Sequence, residues 1–254
     1  MRAPGRKTER FMAESLALTR LLNQLFGGIV AAILHTVGIN VTPANAINNA
    51  FALELLVVAG LIAFFVIVRI TLSVENPGPV QHIAEMIHGA IGDQAEQVIG
   101  HGYQRYQAYV TCIFLFVLCN NLLGLIPGIE APTTSIMVTL GLAVPTFIYY
   151  NFYGFREQGA VGYIKHFAGP VWWMAWLIFP IECISHLARV MSLSVRLYAN
   201  MFAGDLVTLV FFSLIPIGIP AIFLGLHLFV SLIQAFVFML LTMIYLSLAV
   251  AHEH

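Results

Sequence analysis

The chain has 254 residues, of which 60% are hydrophobic and 9% charged, with a formal net charge of -1 and a mean hydropathy of +0.90. A soluble domain carries roughly 25% charged residues, so this composition excludes one and describes an all-α, polytopic membrane protein. The long continuous apolar runs do not fit the short alternating segments of a transmembrane barrel. With no basic patch and no Gly-rich phosphate loop, nothing points to nucleic acid or a bound nucleotide.

Residues 1–20 are polar and basic (Arg2, Arg6, Lys7, Arg10, Arg20) and precede the apolar stretch Leu21 to Ile39. That stretch starts late for a signal peptide and no small-residue cleavage site follows it. Residues 1–50 therefore read as an N-terminal segment holding either an interfacial helix or an extra crossing, and residues 51–254 as the membrane domain. Phe51 to Leu72 is a span, with Glu54 at one end and Arg69 at the other. Ser73 to Tyr106 reads as a polar loop with an amphipathic, surface-lying part whose apolar face is Ile83, Met86, Ile87, Ala90 and Ile91. Tyr109 to Ile126 and Ser135 to Phe155 are the next spans, joined by a turn through Pro127 and Pro132, and Arg156 to His166 is a second polar loop. Arg69, Arg105, Arg156 and Lys165 share one side, which the positive-inside rule makes cytoplasmic. The basic N-terminus then falls outside unless Leu21 to Ile39 also crosses.

Two helices are too long for upright spans. Trp172 to Ile215 has no strong breaker beyond Pro180, and some 40 residues make ~60 Å of helix against a ~30 Å hydrocarbon core. Ala221 to Val250 follows after Pro216 and Pro220. Both are expected to be strongly tilted or bent and to form a hairpin. On the first, Glu182, Ser185, Arg189, Ser192, Arg196 and Asn200 recur at steps of three and four, one polar stripe on an apolar helix. An arginine at such a depth costs about 2.5–3.5 kcal/mol by insertion scales, so the stripe is a functional-site candidate by default. Folding the hairpin about Pro216 brings Asp205 level with His227 and places Gln234 between Arg196 and Asn200. A buried Asp–His pair can hold and release a proton near neutral pH. Titratable stations then flank, from opposite sides of the membrane, an arginine that does not give up its own proton. Such a cation blocks direct proton flow but pairs with a mobile carboxylate carried on a neighbouring subunit.

At these residues, SLSVRLYANMFAGDLV (192–207) and HLFVSLIQAFVFMLLTMIYLSLA (227–249), the chain resembles subunit a of the rotary F-type ATP synthases. ENPGPVQHIAEMI (75–87) and NNLLGLIPG (120–128) resemble the family's earlier segments. The resemblance implies a proton-conducting stator subunit with two offset half-channels, not catalytic on its own and without a cofactor or metal. It implies a c-subunit ring, a b-subunit peripheral stalk, the other ATP synthase subunits and membrane lipid as partners, in a bacterial inner membrane. By resemblance Arg196 faces the ring, Asn200, Asp205, His227 and Gln234 belong to the outer half-channel, and Glu182, Ser185 and Ser192 to the inner one. Asn121 matches a family asparagine. Asp205 stands where many relatives have Glu, and Gly124 where some have an acid.

Two other functions fit parts of the pattern. One is a self-contained transporter using Arg196 as counter-charge; the other is a metalloenzyme using Glu182, His186 and His227. Glu182 and His186 are spaced i,i+4 like a metal pair, but no third ligand is evident, and a hydrogen-bonded pair is the simpler reading. Cys112, Cys119 and Cys183 read as packed thiols, and Trp172, Trp173, Trp176 and Tyr109 as interfacial anchors.

Overall fold

The structure is a computed structural model that describes residues 17–36, 42, 47–73, 77–126, 129–168, 175–214 and 218–250. Among the described residues the helices are α1 (Ala17–Thr36), α2 (Asn49–Ile70), α3 (Pro79–Ile99), α4 (Gln104–Leu123), α5 (Ile136–Ala168), α6 (Ala175–Leu214) and α7 (Ile219–Val250), with a 3-10 turn at Pro132–Thr134. Among the described residues, five helices are long and apolar enough to cross a membrane: α2, α4, the Ile136–Gly159 part of α5, α6 and α7. The protein is an all-α, multi-pass membrane protein. The turn through Pro216, together with Pro127, Gly128, Trp172, Trp173 and the last four residues, lies outside the described set.

Local chemistry sets several boundaries. Pro79 opens α3, where its missing N–H would have had no helical partner anyway. The helix closes at Gly100, whose φ of 83° suits glycine and whose N–H reaches the Glu96 carbonyl. Ser73 to Tyr106 holds the 21-residue α3, which carries the apolar face expected at helical spacing. One stretch expected as a loop is helical instead. Arg156 to His166 lies within α5, which runs on to Ala168 through a kink where Gly159 takes a φ of 74°. Arginine, glutamate and glutamine at 156–158 are good helix formers, so polarity marks the membrane boundary there without ending the helix.

The core lies among α4–α7, where Ile113, Val117, Ala143, Leu193, Leu197, Met201, Ala235 and Phe238 pack together. Thr139 Oγ1 and Ser194 Oγ join α5 to α6 at 2.9 Å inside it. Of the expected apolar face on α3 only Ile91 is buried, packing with Ala95 on Val110, Met239 and Met243, whereas Ile83 and Met86 are exposed. Gly92 permits this approach, because a Cβ there would stand 2.8 Å from Gln107 Nε2. At the N-terminal side, Asn23 clamps Ile47 from both directions, donating to its carbonyl at 3.1 Å and accepting from its N–H at 2.8 Å.

Two contacts orient the bundle. Arg105 pairs with Glu157, so α4 begins where the membrane part of α5 ends. Gln158 Nε2 donates to the Ala249 carbonyl at 3.1 Å, which brings the end of α7 to the same level. That level carries Arg105 and Arg156; the positive-inside rule assigns it to the cytoplasm, and by that assignment it is called the cytoplasmic end and the opposite one the outer end. The turn 129–135 is at the opposite end.

The cysteines are free of disulfides, but Cys112 is exposed on α4 rather than packed. Its position faces outward on an apolar helix, where a thiol behaves as a small hydrophobe.

Candidate functional site

Helices α6 and α7 run antiparallel, with Asn200 against Gln234, Met201 against Ser231 and Asp205 against His227. At the outer end His227 Nε2 lies 3.6 Å from Asp205 Oδ1, beyond hydrogen-bond distance. The approach depends on Gly204: a Cβ there would sit 2.6 Å from His227 Nδ1 and 3.0 Å from Cε1. Without it the ring settles against the α6 backbone, facing the Gly204 carbonyl. The His227 side chain is 3% exposed and that of Asp205 24%. Among the described residues, buried Asp205 Oδ2 and His227 Nε2 have no hydrogen-bond partner.

Five residues towards the centre, Asn200 Nδ2 donates to Gln234 Oε1 at 2.8 Å. Asn121, fully buried, ties three elements together. Its Nδ2 donates to the Ser231 carbonyl at 3.4 Å, and its Oδ1 accepts from Thr133 Oγ1 at 2.8 Å. It braces the outer half of the seam from α4 and stands apart from the titratable pair.

Arg196 does not join the seam's hydrogen bonds. Its side chain is exposed, and its one hydrogen bond to a described residue is from Nη2 to Ser192 Oγ at 3.4 Å. No ion pair with a described residue neutralises it. Around it the outer surface of α6 is apolar, with Ile184, Leu187, Met191, Val195, Phe202 and Leu206 exposed. Only 11% of the most apolar window of α6 is buried, against 50% in α4, so this face is built to meet something beyond the chain.

Towards the cytoplasmic end a second titratable group forms. Glu182 Oε1 lies 3.5 Å from His186 Nε2 and 3.7 Å from Arg189 Nη2. His186 Nδ1 in turn meets the buried Tyr150 hydroxyl at 3.2 Å. Arg189 also sits over the Tyr245 ring, 5.6 Å from its centroid. Ser185 lies half-buried on the same stripe. Along α6, Glu182 is about 21 Å from Arg196 and Asp205 about 13 Å on the other side. Glu182 is thus about 35 Å and His186 about 29 Å of helix from the level of His227. Those three cannot share a metal, and among the described residues no group of three or more His, Cys, Asp and Glu could hold one.

The family described as "ATP synthase A chain" matches residues 50–247. The chain belongs to that family. It is similar to "ATP synthase subunit a" of Koribacter versatilis (strain Ellin345), 50% identical over 244 residues that cover 96% of this chain and 100% of the relative. It is also similar to "ATP synthase subunit a" of Solibacter usitatus (strain Ellin6076), at 48% over 206 residues, 81% of this chain and 88% of that one. The family match spans every element that carries the site, α2 to α7, and leaves out most of the N-terminal segment.

Several contributors escaped the sequence reading. Tyr150 and Thr133 are remote in the chain from the residues they hold, and no local pattern signals such a contact. Gly204 did carry a signal: a glycine inside a long helix is unfavourable unless something approaches closely, and it directly precedes Asp205.

Proposed function

We propose that this chain is the proton-conducting stator subunit of the membrane sector of a rotary ATP synthase in a bacterial inner membrane. Its partners are the c-subunit ring, the b-subunit peripheral stalk and the remaining subunits, with lipid on the other faces. It binds no nucleotide; the synthesis chemistry belongs to a soluble partner sector. The observation that carries the reading is Arg196, an exposed cation on an apolar helix face whose one hydrogen bond within the described chain goes to Ser192. A lone guanidinium at that depth calls for an anionic partner from outside the chain, and a ring carboxylate supplies one.

The arrangement then works as two dead-end passages. Protons from outside reach Asp205 and His227 and pass along Asn200 and Gln234 to a ring carboxylate, which loses its attraction to Arg196 when protonated and moves into lipid as a neutral group. A carboxyl arriving from the other direction releases its proton past Ser192 and Ser185 to Glu182 and its neighbours. Arg196 stops a proton from running directly between the two sides, so each transfer requires ring movement. Each charge crossing draws ~2.3 kcal/mol per 100 mV from the membrane potential.

Arg196→Ala tests this in the assembled complex. An Arg–carboxylate pair at 4 Å is worth about 4 kcal/mol at an effective dielectric constant of 20, or about three decades in rate. ATP synthesis driven by a proton gradient should fall by that order while the complex still assembles and the membrane becomes leakier to protons. Normal coupled synthesis in the variant would end the reading.

A further inference from the structure

Residues 129–135, between α4 and α5, lie at the outer end of the seam and are tied to α4 there. Gly124, just past α4, lets it seat: a Cβ at that position would come 2.8 Å from Ala131 Cβ and 3.4 Å from the Ala131 nitrogen. Ala131, Pro132 and Thr133 are buried. Thr133 is anchored to Asn121 at 2.8 Å, and Thr134 Oγ1 donates back to the Ala131 carbonyl at 2.7 Å. The clamped backbone at Ala131 faces the Asp205 carboxylate. The residue before it, Glu130, projects as an exposed side chain, close enough for its charge to act on Asp205. Behind it lie the two buried polar atoms without a partner among the described residues, Asp205 Oδ2 and His227 Nε2. Glu130 forms no ion pair with a described cation.

An exposed carboxylate raises the local concentration of cations and their arrival rate at a partly exposed group beside it, and the Asp205 side chain is 24% exposed. Placed on a mobile loop it would spread that effect over the surface. Placed on a segment tied to α4 at Asn121, it acts at the Asp205–His227 pair. We propose that Glu130 is the proton-collecting residue of the outer passage, drawing protons from bulk water to the Asp205–His227 pair. This rests on the function proposed above. Glu130 itself needs no covalent step: its charge attracts a hydronium ion, and the proton passes inward.

The test uses the intact ATP synthase complex in proteoliposomes, with wild type, Glu130→Gln, Glu130→Asp and Arg196→Ala prepared in parallel. Gradient-driven synthesis takes protons up at the outer face, whereas ATP-driven pumping releases them there. Losing the negative charge slows arrival more than departure. Glu130→Gln should therefore reduce synthesis about 3- to 10-fold at low ionic strength, with a lower ratio of synthesis to pumping. The deficit should shrink as salt shortens the screening length from ~30 Å at 0.01 M to ~3 Å at 1 M. Glu130→Asp, which keeps the charge, should recover most of the rate. Synthesis by Glu130→Gln at the wild-type rate would overturn the proposal. So would an equal slowing in both directions that no salt concentration alters, which is the mark of a damaged turn. If Arg196→Ala synthesises normally, the underlying function fails; if it is inactive while Glu130→Gln matches wild type, only the role of Glu130 fails.

Discussion

Replacing Gly204 by alanine adds one methyl group where the two titratable helices meet. The new Cβ would lie 2.6 Å from His227 Nδ1 and 3.0 Å from Cε1. Ordinary contact begins at roughly 3.5 Å, so ring or backbone must yield by about 1 Å. The ring is 97% buried by its 3% exposure and is not the free end of a flexible chain, so it cannot swing into solvent. Overpacking of this kind costs about 1–3 kcal/mol, only partly offset by alanine's helix propensity, worth about 1 kcal/mol over glycine. Functionally the shift moves Nε2 away from Asp205 Oδ1. A displacement of about 1 Å in a positioned group costs up to 10²-fold in rate, so gradient-driven synthesis should fall by about 10- to 100-fold. A double-mutant cycle with His227→Ala isolates the cause. In that background the added methyl has room, so Gly204→Ala should have little further effect on synthesis or complex stability. Strict additivity of the two changes, or full activity in Gly204→Ala alone, would show that the ring and the glycine are not in contact.

Two further outcomes follow from contacts away from that seam. Tyr150→Phe removes the 3.2 Å hydrogen bond to His186 Nδ1; it should lower complex stability by about 1 kcal/mol and slow ATP-driven pumping, which draws protons through the cytoplasmic side. Unchanged thermal unfolding and pumping would remove Tyr150 from that network. Thr133→Val keeps the shape but leaves the buried Asn121 Oδ1 without its 2.8 Å donor, at a cost of about 1–3 kcal/mol. Backbone amides of residues 129–135 should exchange faster with deuterium in the variant, and identical exchange would mean the clamp does not hold the turn.

Hydropathy marked five stretches as long and apolar enough to cross a membrane and left residues 21–39 open between a surface helix and a crossing. It required the spans to be helices, because a backbone in hydrocarbon has few other ways to satisfy its hydrogen bonds. The 40-residue length of α6 and the polar stripe from Glu182 to Asn200 were equally legible, since both follow from the periodicity of one continuous helix. The stretch 156–166 was harder: its polarity resembles that of a loop, and only packing decides whether a polar segment stays helical. Pairing between distant segments was open for the same reason. Which side chain stands opposite Asn121 or His186 depends on how α4, α5 and α6 cross, and no interval along the chain encodes a crossing. The partner of Asp205 is different, because equal counts either side of Pro216 already put His227 level with it. Tertiary structure alone also decided that Arg196 opens onto the outer face of α6 while Asn200, one turn away, bonds inward to Gln234. The two differ by about 40° in direction around the helix, and the position of α7 turns that small angle into the difference between a partner within the chain and one outside it.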